Sequence, residues 1–177
     1  IDTTDGTGGS VDFDSTINST TSNGALTITS KGGAVGIDGV IGGNADDHLS
    51  GLSINATGTG TGTITLAASI GGNAEQGVDG GNVSIGNNST SLVTLGGADY
   101  HANGVITVKA TSGTGGNTNQ NIKFTAGAIT EVKAVDDNIN FLNGVIWLKD
   151  GTDLTVKSEG GAITINSIIC LLYTSPS

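Results

Sequence analysis

Throughout this chain an apolar residue, one intervening residue and a second apolar residue recur as triplets between stretches rich in glycine, asparagine or aspartate, and twelve of them carry the pattern. The first six are Leu26-Thr27-Ile28, Val35-Gly36-Ile37, Leu52-Ser53-Ile54, Ile64-Thr65-Leu66, Val83-Ser84-Ile85 and Val93-Thr94-Leu95. The rest are Ile106-Thr107-Val108, Ile122-Lys123-Phe124, Ile139-Asn140-Phe141, Ile146-Trp147-Leu148, Leu154-Thr155-Val156 and Ile163-Thr164-Ile165. A period of two puts both apolar side chains of a triplet on one face of an extended strand and the middle residue on the other. β-Branched residues dominate, and they suit a pleated surface. No stretch carries helical periodicity, so the pattern predicts an all-β chain.

What lies between the triplets narrows the architecture. Pairs such as Gly-Gly, Gly-Asn, Asn-Gly, Asp-Gly and Asn-Asn supply positive φ for tight corners. The chain has 31 glycines, one proline and 3% aromatic residues. A β-solenoid stacks each strand on the strand one coil away. It therefore needs every N–H that proline would remove, and its narrow interior favours small aliphatic side chains.

Internal echoes agree with a coil repeat. "IGGNA" occupies 41–45 and again 70–74, and "GAIT" occupies 127–130 and 161–164. A weaker echo relates "GGAVGID" at 32–38 to "GGAITIN" at 160–166. Repeats of roughly 20 to 50 residues mark solenoids and propellers.

These features predict a right-handed parallel β-helix of about five to seven coils, at roughly 20 to 34 residues each. Residues 1–169 form one repeat region, expected to be a fragment open at both ends. Expected interior residues are Leu26, Ile28, Leu52, Ile54, Ile64, Leu66, Val83, Ile85, Ile106, Val108, Leu154, Val156, Ile163 and Ile165. The rival fold is a β-sandwich with Trp147 as its packed tryptophan. The repeats and the glycine content favour the solenoid.

Charge excludes one class of partner. The six basic residues are all Lys, against sixteen acidic ones, for a net charge of −10. Such a surface repels a phosphate backbone and lacks the guanidinium forks that read bases, so no nucleic-acid partner is expected. No apolar run is long enough for a membrane-spanning helix. Uncapped end coils would expose strand edges, which favours self-association through the ends.

The last eight residues differ in kind. "CLLYTSPS", 170–177, holds the only Cys and the only Pro. All eight residues resemble the translation of the transposase adapter used to prepare sequencing libraries. The resemblance implies that 170–177 is a non-native tail on a longer natural protein, so Cys170 carries no redox argument.

No pattern marks a catalytic, cofactor or metal site, and none is assigned. His48 lies beside Asp46 and Asp47, but zinc wants three or four N or S ligands, and no spacing links His48 to His101. Asp136, Asp137 and Asn138, and separately Asp150 and Asp153, are oxygen-rich turns that calcium could use; Asx-turns account for them more simply. Tyr100, His101 and Trp147 are the bulky groups that could stack on sugars, with packing the plainer role for Trp147. Asn18, Asn55 and Asn88 begin Asn-x-Ser/Thr triplets that chance explains in so polar a chain.

At family level, "GGSVDFDSTINSTT", "GALTITSKGGAVGIDGVIGG", "LSGLSINATGTGTGTITLAASIGG" and "DDNINFLNGVIWLKDGTDLTVKSEGGAITIN" resemble segments of repetitive bacterial surface adhesins. These are the filamentous-haemagglutinin-like and autotransporter-like proteins. The resemblance implies export to the bacterial cell surface and a non-catalytic stalk role in attachment or biofilm. Its partners would be surface glycans or proteins. The alternative reading is a secreted polysaccharide-active β-helix enzyme or carbohydrate-binding module.

Overall fold

The period-two triplets all form strands, and every strand pairing among the described residues is parallel. The computed structural model describes residues 1–4, 8–20, 24–43, 48–57, 62–72, 77–111 and 121–171. They fold as a parallel β-solenoid, without helix. Parallel pairing of strands one coil apart excludes the sandwich, which would pair neighbouring strands antiparallel.

The coil has three faces. The first stacks β1 (Asp2–Thr3), β3 (Ala25–Lys31), β5 (Gly51–Thr57), β7 (Val83–Ile85), β10 (Ile106–Lys109) and the first halves of β13 (Ile139–Leu148) and β15 (Ile163–Leu171). The second stacks β2 (Val11–Phe13), β4 (Val35–Ile37), β6 (Gly62–Leu66), β8 (Thr90–Leu95), β11 (Ile122–Phe124) and the second halves of β13 and β15. The third stacks single bridges at Ile17, Ile41 and Ile70 on β9 (Asp99–Ala102), β12 (Ile129–Ala134) and β14 (Asp153–Ser158).

β13 belongs to two faces because it turns a corner in mid-strand. Asn143 and Gly144 take φ of 63° and 75°, the left-handed region that Asn and Gly tolerate best. The register shifts between Leu142 and Val145 at that corner.

Stacking converts each triplet into continuous columns. On the first face, one inward column runs Ile28, Ile54, Ile85, Val108, Phe141 and Ile165. The outward column beside it runs Thr27, Ser53, Ser84, Thr107, Asn140 and Thr164, a ladder of hydroxyl and amide groups. Inward columns of all three faces merge into one core. Each isoleucine fully buried there contributes about 1.5–3 kcal/mol.

Most expected interior residues are buried, and Leu26, Leu154 and Val156 pack half-buried against the core. Ile163 and Ile165 are not interior: they remain 44% and 41% exposed. They stand in the inward columns, but β15 has a partner strand on one side only among the described residues. Aromatic rings, expected to fit poorly, also enter the core. Phe124 and Phe141 are fully buried and meet edge to face at 6.1 Å. Ala110 and Ala134, in the coil that holds Phe124, supply small side chains in the same core.

The echoes divide into two kinds. "IGGNA" is a true coil repeat, because Ile41 and Ile70 bridge each other directly. "GAIT" is not, because Ile129 begins a third-face strand and Ile163 a first-face strand. The "GGAVGID" echo marks a corner. Ser30, ahead of the first copy, directs its hydroxyl at the carbonyls of Gly9 and Gly33, at 2.8 and 3.0 Å. Ser158, ahead of the second, does the same to Asp137 and Gly161, both at 2.8 Å.

Candidate functional site

The third face departs furthest from regular stacking, and its glycines explain how. Between the stacked positions Tyr100 and Ala102 stands one residue, His101; between Val132 and Ala134 stands Lys133. Between Ile41 and Leu49, and between Ile70 and Val78, which stack on the same positions, seven residues intervene. The IGGNA repeat thus starts two equal insertions in adjacent coils. Gly42 (φ 62°) lies at the neck, where a Cβ would collide with the backbone of Gly77. Any other residue there is excluded both by conformation and by space.

The same glycines leave a hollow. Gly43, Gly71 and Gly72 of the repeat carry no side chain into it, whereas the next two coils place His101 and Lys133 after Tyr100 and Val132. The resulting depression has a volume of about 350 Å³. Its side-chain walls are Thr16, Asn18, Val40, Ser69 and Asp99, and the backbone of Gly43, Gly71 and Gly72 completes it. Ser69 Oγ accepts the N–H groups of Ala98 and Asp99, at 3.2 and 3.1 Å. Its own hydrogen therefore remains to be donated.

Beyond the hollow lies a lattice of charge. His101 is buried, with Nε2 3.2 Å from Glu131 Oε1 and 3.7 Å from Asp99 Oδ1. Asp99 and Glu131 are register partners in adjacent strands. One coil on, Glu159 joins Lys133 at 3.2 Å and Lys157 at 2.7 Å. The Lys157 ammonium, and then Lys133, hold the Glu159 carboxyl below its ordinary value, while Glu159 raises Lys157. Beneath this lattice, burial pushes the Tyr100 phenol well above its usual range, against the opposing effect of the Gly97 N–H that its oxygen accepts at 2.8 Å.

His48 and His101 share one column. Leu49, Val78 and Ala102 stack, so the residues before them do too: His48, Gly77 and His101. His48 Nδ1 is 4.0 Å from Asp79 Oδ2, and the other oxygen of Asp79 accepts from the Asn103 amide. No sequence spacing could reveal this, because the register comes from coils of unequal length.

The other residues singled out in sequence take structural places. Asp46 and Asp47 lie outside the described residues. Asp137 accepts the N–H of Asn138 at 2.8 Å, and Asn138 in turn accepts the N–H of Ala162 one coil on, at 2.7 Å. These are turn and stacking bonds. Asp136 is exposed nearby, and Asp153 opens β14. Asp150 sits in the turn before it. Among the described residues no three His, Cys, Asp or Glu side chains converge to hold a metal ion, and no helix is long and apolar enough to cross a membrane.

Tyr100 is part of the core, so it offers no sugar-stacking surface. Trp147 projects outward on the second face, where Lys123 Nζ lies 5.6 Å from its ring centre. That is cation–π distance, and the lysine covers part of the ring that a ligand would need. The second strand half that ends at Leu171 pairs Cys170 with Trp147. The carboxylate pair Asp99–Glu131 and the hollow beside it are what sequence reasoning missed. The signal was the IGGNA repeat, whose glycines clear the space. Protein-family models, curated proteins and solved structures, each compared with this chain, give no match.

Proposed function

We propose that the chain is a stalk segment of an exported bacterial surface adhesin, a rigid spacer that also presents surface to partners. The observation that carries this reading is the unbroken register of the first face. There, single-residue columns of Thr, Ser and Asn run outward over a continuous apolar core. Such a stack grows by adding like coils, each stabilised by its neighbours, and so suits a long spacer. An acidic surface keeps such an extended rod soluble.

The competing reading, an enzyme acting on polysaccharide, would use Asp99 and Glu131 as its carboxylate pair. His101 lies against both, which favours a structural part for them.

The test is made on cells that carry the complete natural reading frame. The stalk reading expects protease added outside intact cells to cut this segment, and its in-frame deletion to weaken attachment to a surface. Protection of the segment until the cells are lysed would overturn it.

A further inference from the structure

We propose that the hollow on the third face binds one sugar ring of an uncharged glycan, with Asp99 as the principal acceptor of its hydroxyl hydrogens. The inference goes beyond the stalk reading and stands or falls separately from it. It starts from the hollow's size. A volume of about 350 Å³ lies at the low end of small-molecule sites, roughly 300 to 1,000 Å³. That suits a single ring.

The lining sets the chemistry. Asp99 supplies a carboxylate that is partly exposed, and its separation of 3.7 Å from His101 leaves it free of a hydrogen bond there. Carboxylate–hydroxyl bonds are stronger than neutral ones. Ser69 has a hydroxyl hydrogen to give, Asn18 offers both an acceptor and a donor, and Thr16 adds a second hydroxyl. Val40 gives an apolar wall for the C–H face of a ring. Donors and acceptors around one apolar patch match a pyranose. Among the described residues no cationic side chain lines the hollow, and the chain's net charge is −10, so an acidic sugar is disfavoured.

The position is also fixed in advance. The Asp99 N–H is anchored on Ser69, and the backbone there is paired with Ile70. A ligand need not order the backbone that carries its acceptor, which lowers the cost of binding.

The test titrates the full chain by NMR with four disaccharides: cellobiose, lactose and mannobiose as neutral probes, and a diglucuronate as the anionic one. At least one neutral probe should bind saturably and shift the amides of Ser69 to Gly72 and Asp99. Asp99→Ala should weaken that probe about tenfold or more, the loss expected for one charge-assisted hydrogen bond. Thr16→Leu, an exposed substitution that narrows the hollow, should weaken it as well. Asp99→Asn should close the gap between diglucuronate and the neutral probe, because only the charge is removed. Failure of all three neutral probes to saturate overturns the proposal, as does unchanged affinity in both Asp99→Ala and Thr16→Leu. If Asp99→Ala fails to fold, as judged by its β signal, Thr16→Leu decides alone.

Discussion

Ile54 and Ile165 stand in the same inward column of the first face, four coils apart, each at the end of an apolar–polar–apolar triplet. Ile54 is fully buried, whereas Ile165 is 41% exposed. The difference lies in the neighbours. Ile54 has Ile28 on one side and Ile85 on the other, while among the described residues Ile165 has Phe141 on one side alone. Alternation decides which way a side chain points. Burial in a solenoid needs a coil above and a coil below, so it belongs to the stack and not to the strand.

The largest test of that comparison is truncation at both positions. Ile54→Ala should cost about 2–5 kcal/mol, the range for large-to-small changes in a closed core. Such a loss is a large fraction of an ordinary domain's stability, about 5–15 kcal/mol. Ile165→Ala should cost well under half as much, measured by urea unfolding with the β signal followed by circular dichroism. Equal costs would mean that β15 is covered in solution, and sedimentation of the parent chain would then show an oligomer.

A smaller effect separates two corners of like build, one between the first and second faces and one between the third and first. Ser30 is fully buried, while Ser158 is half-buried, and both hydroxyls serve the same pair of carbonyl positions. Ser30→Ala takes this donor from the Gly33 carbonyl, while the Gly9 carbonyl keeps the Thr3 hydroxyl at 2.9 Å, and should cost about 1–3 kcal/mol. Ser158→Ala lets water replace the hydroxyl and should cost a fraction of that. The same denaturation series reads both, and a larger cost at Ser158 would contradict the neighbour argument.

Removal of 170–177 is the next step down. Cys170 and Leu171 continue β15 against Trp147 and Leu148, but Ile163 and Ile165 keep their pairing with β13 without them. The shortened chain should therefore retain its β signal and stay soluble to higher concentration, because an edge strand is shortened. Unfolding on deletion would show that the octapeptide belongs to the fold, against its resemblance to an adapter.

Two faces were legible in sequence and the third was not. The first and second faces turn Leu, Ile, Val and two Phe inward at every other residue, and eleven of the twelve triplets lie in their strands; the twelfth, Leu154-Thr155-Val156, falls in β14 of the third. The third face turns inward Tyr100, Ala102, Thr130, Val132 and Ala134, a mixture in which period two does not show. Thr130 is polar yet fully buried, with its hydroxyl 3.4 Å from the Gly97 carbonyl. Register was equally hidden. Neighbouring coils on the first face are offset by 23 residues from Val83 to Ile106 and by 33 from Ile106 to Ile139, so no fixed period aligns the chain. The hollow inherits that difficulty. Asp99, Ser69 and Thr16 sit far apart in sequence, and only the stacking of Ile17, Ile41, Ile70 and Tyr100 lines them up.

The smallest expected effect concerns charge at the exposed end of the third face. Glu159 is held below its ordinary value of 4.5, first by Lys157 and then by Lys133. A carboxyl with a lowered folded pKa binds fewer protons folded than unfolded. Its contribution is therefore complete above about pH 4.5 and is lost as pH falls through the lowered folded value. Lys157, raised by the same contact, contributes below its ordinary 10.5 and loses that contribution as pH rises above it. Both groups are solvent-exposed, and exposed pairs are screened by water and salt, so the shift in thermal midpoint should be slight. Glu159→Gln should lower the midpoint a little at neutral pH and leave it equal to the parent near about pH 2, where both side chains are uncharged. A difference that persists at that acid extreme would come from packing. In that event the end of the solenoid would be tighter than the exposure of Ile163 and Ile165 implies, and Ile165→Ala should prove correspondingly more costly.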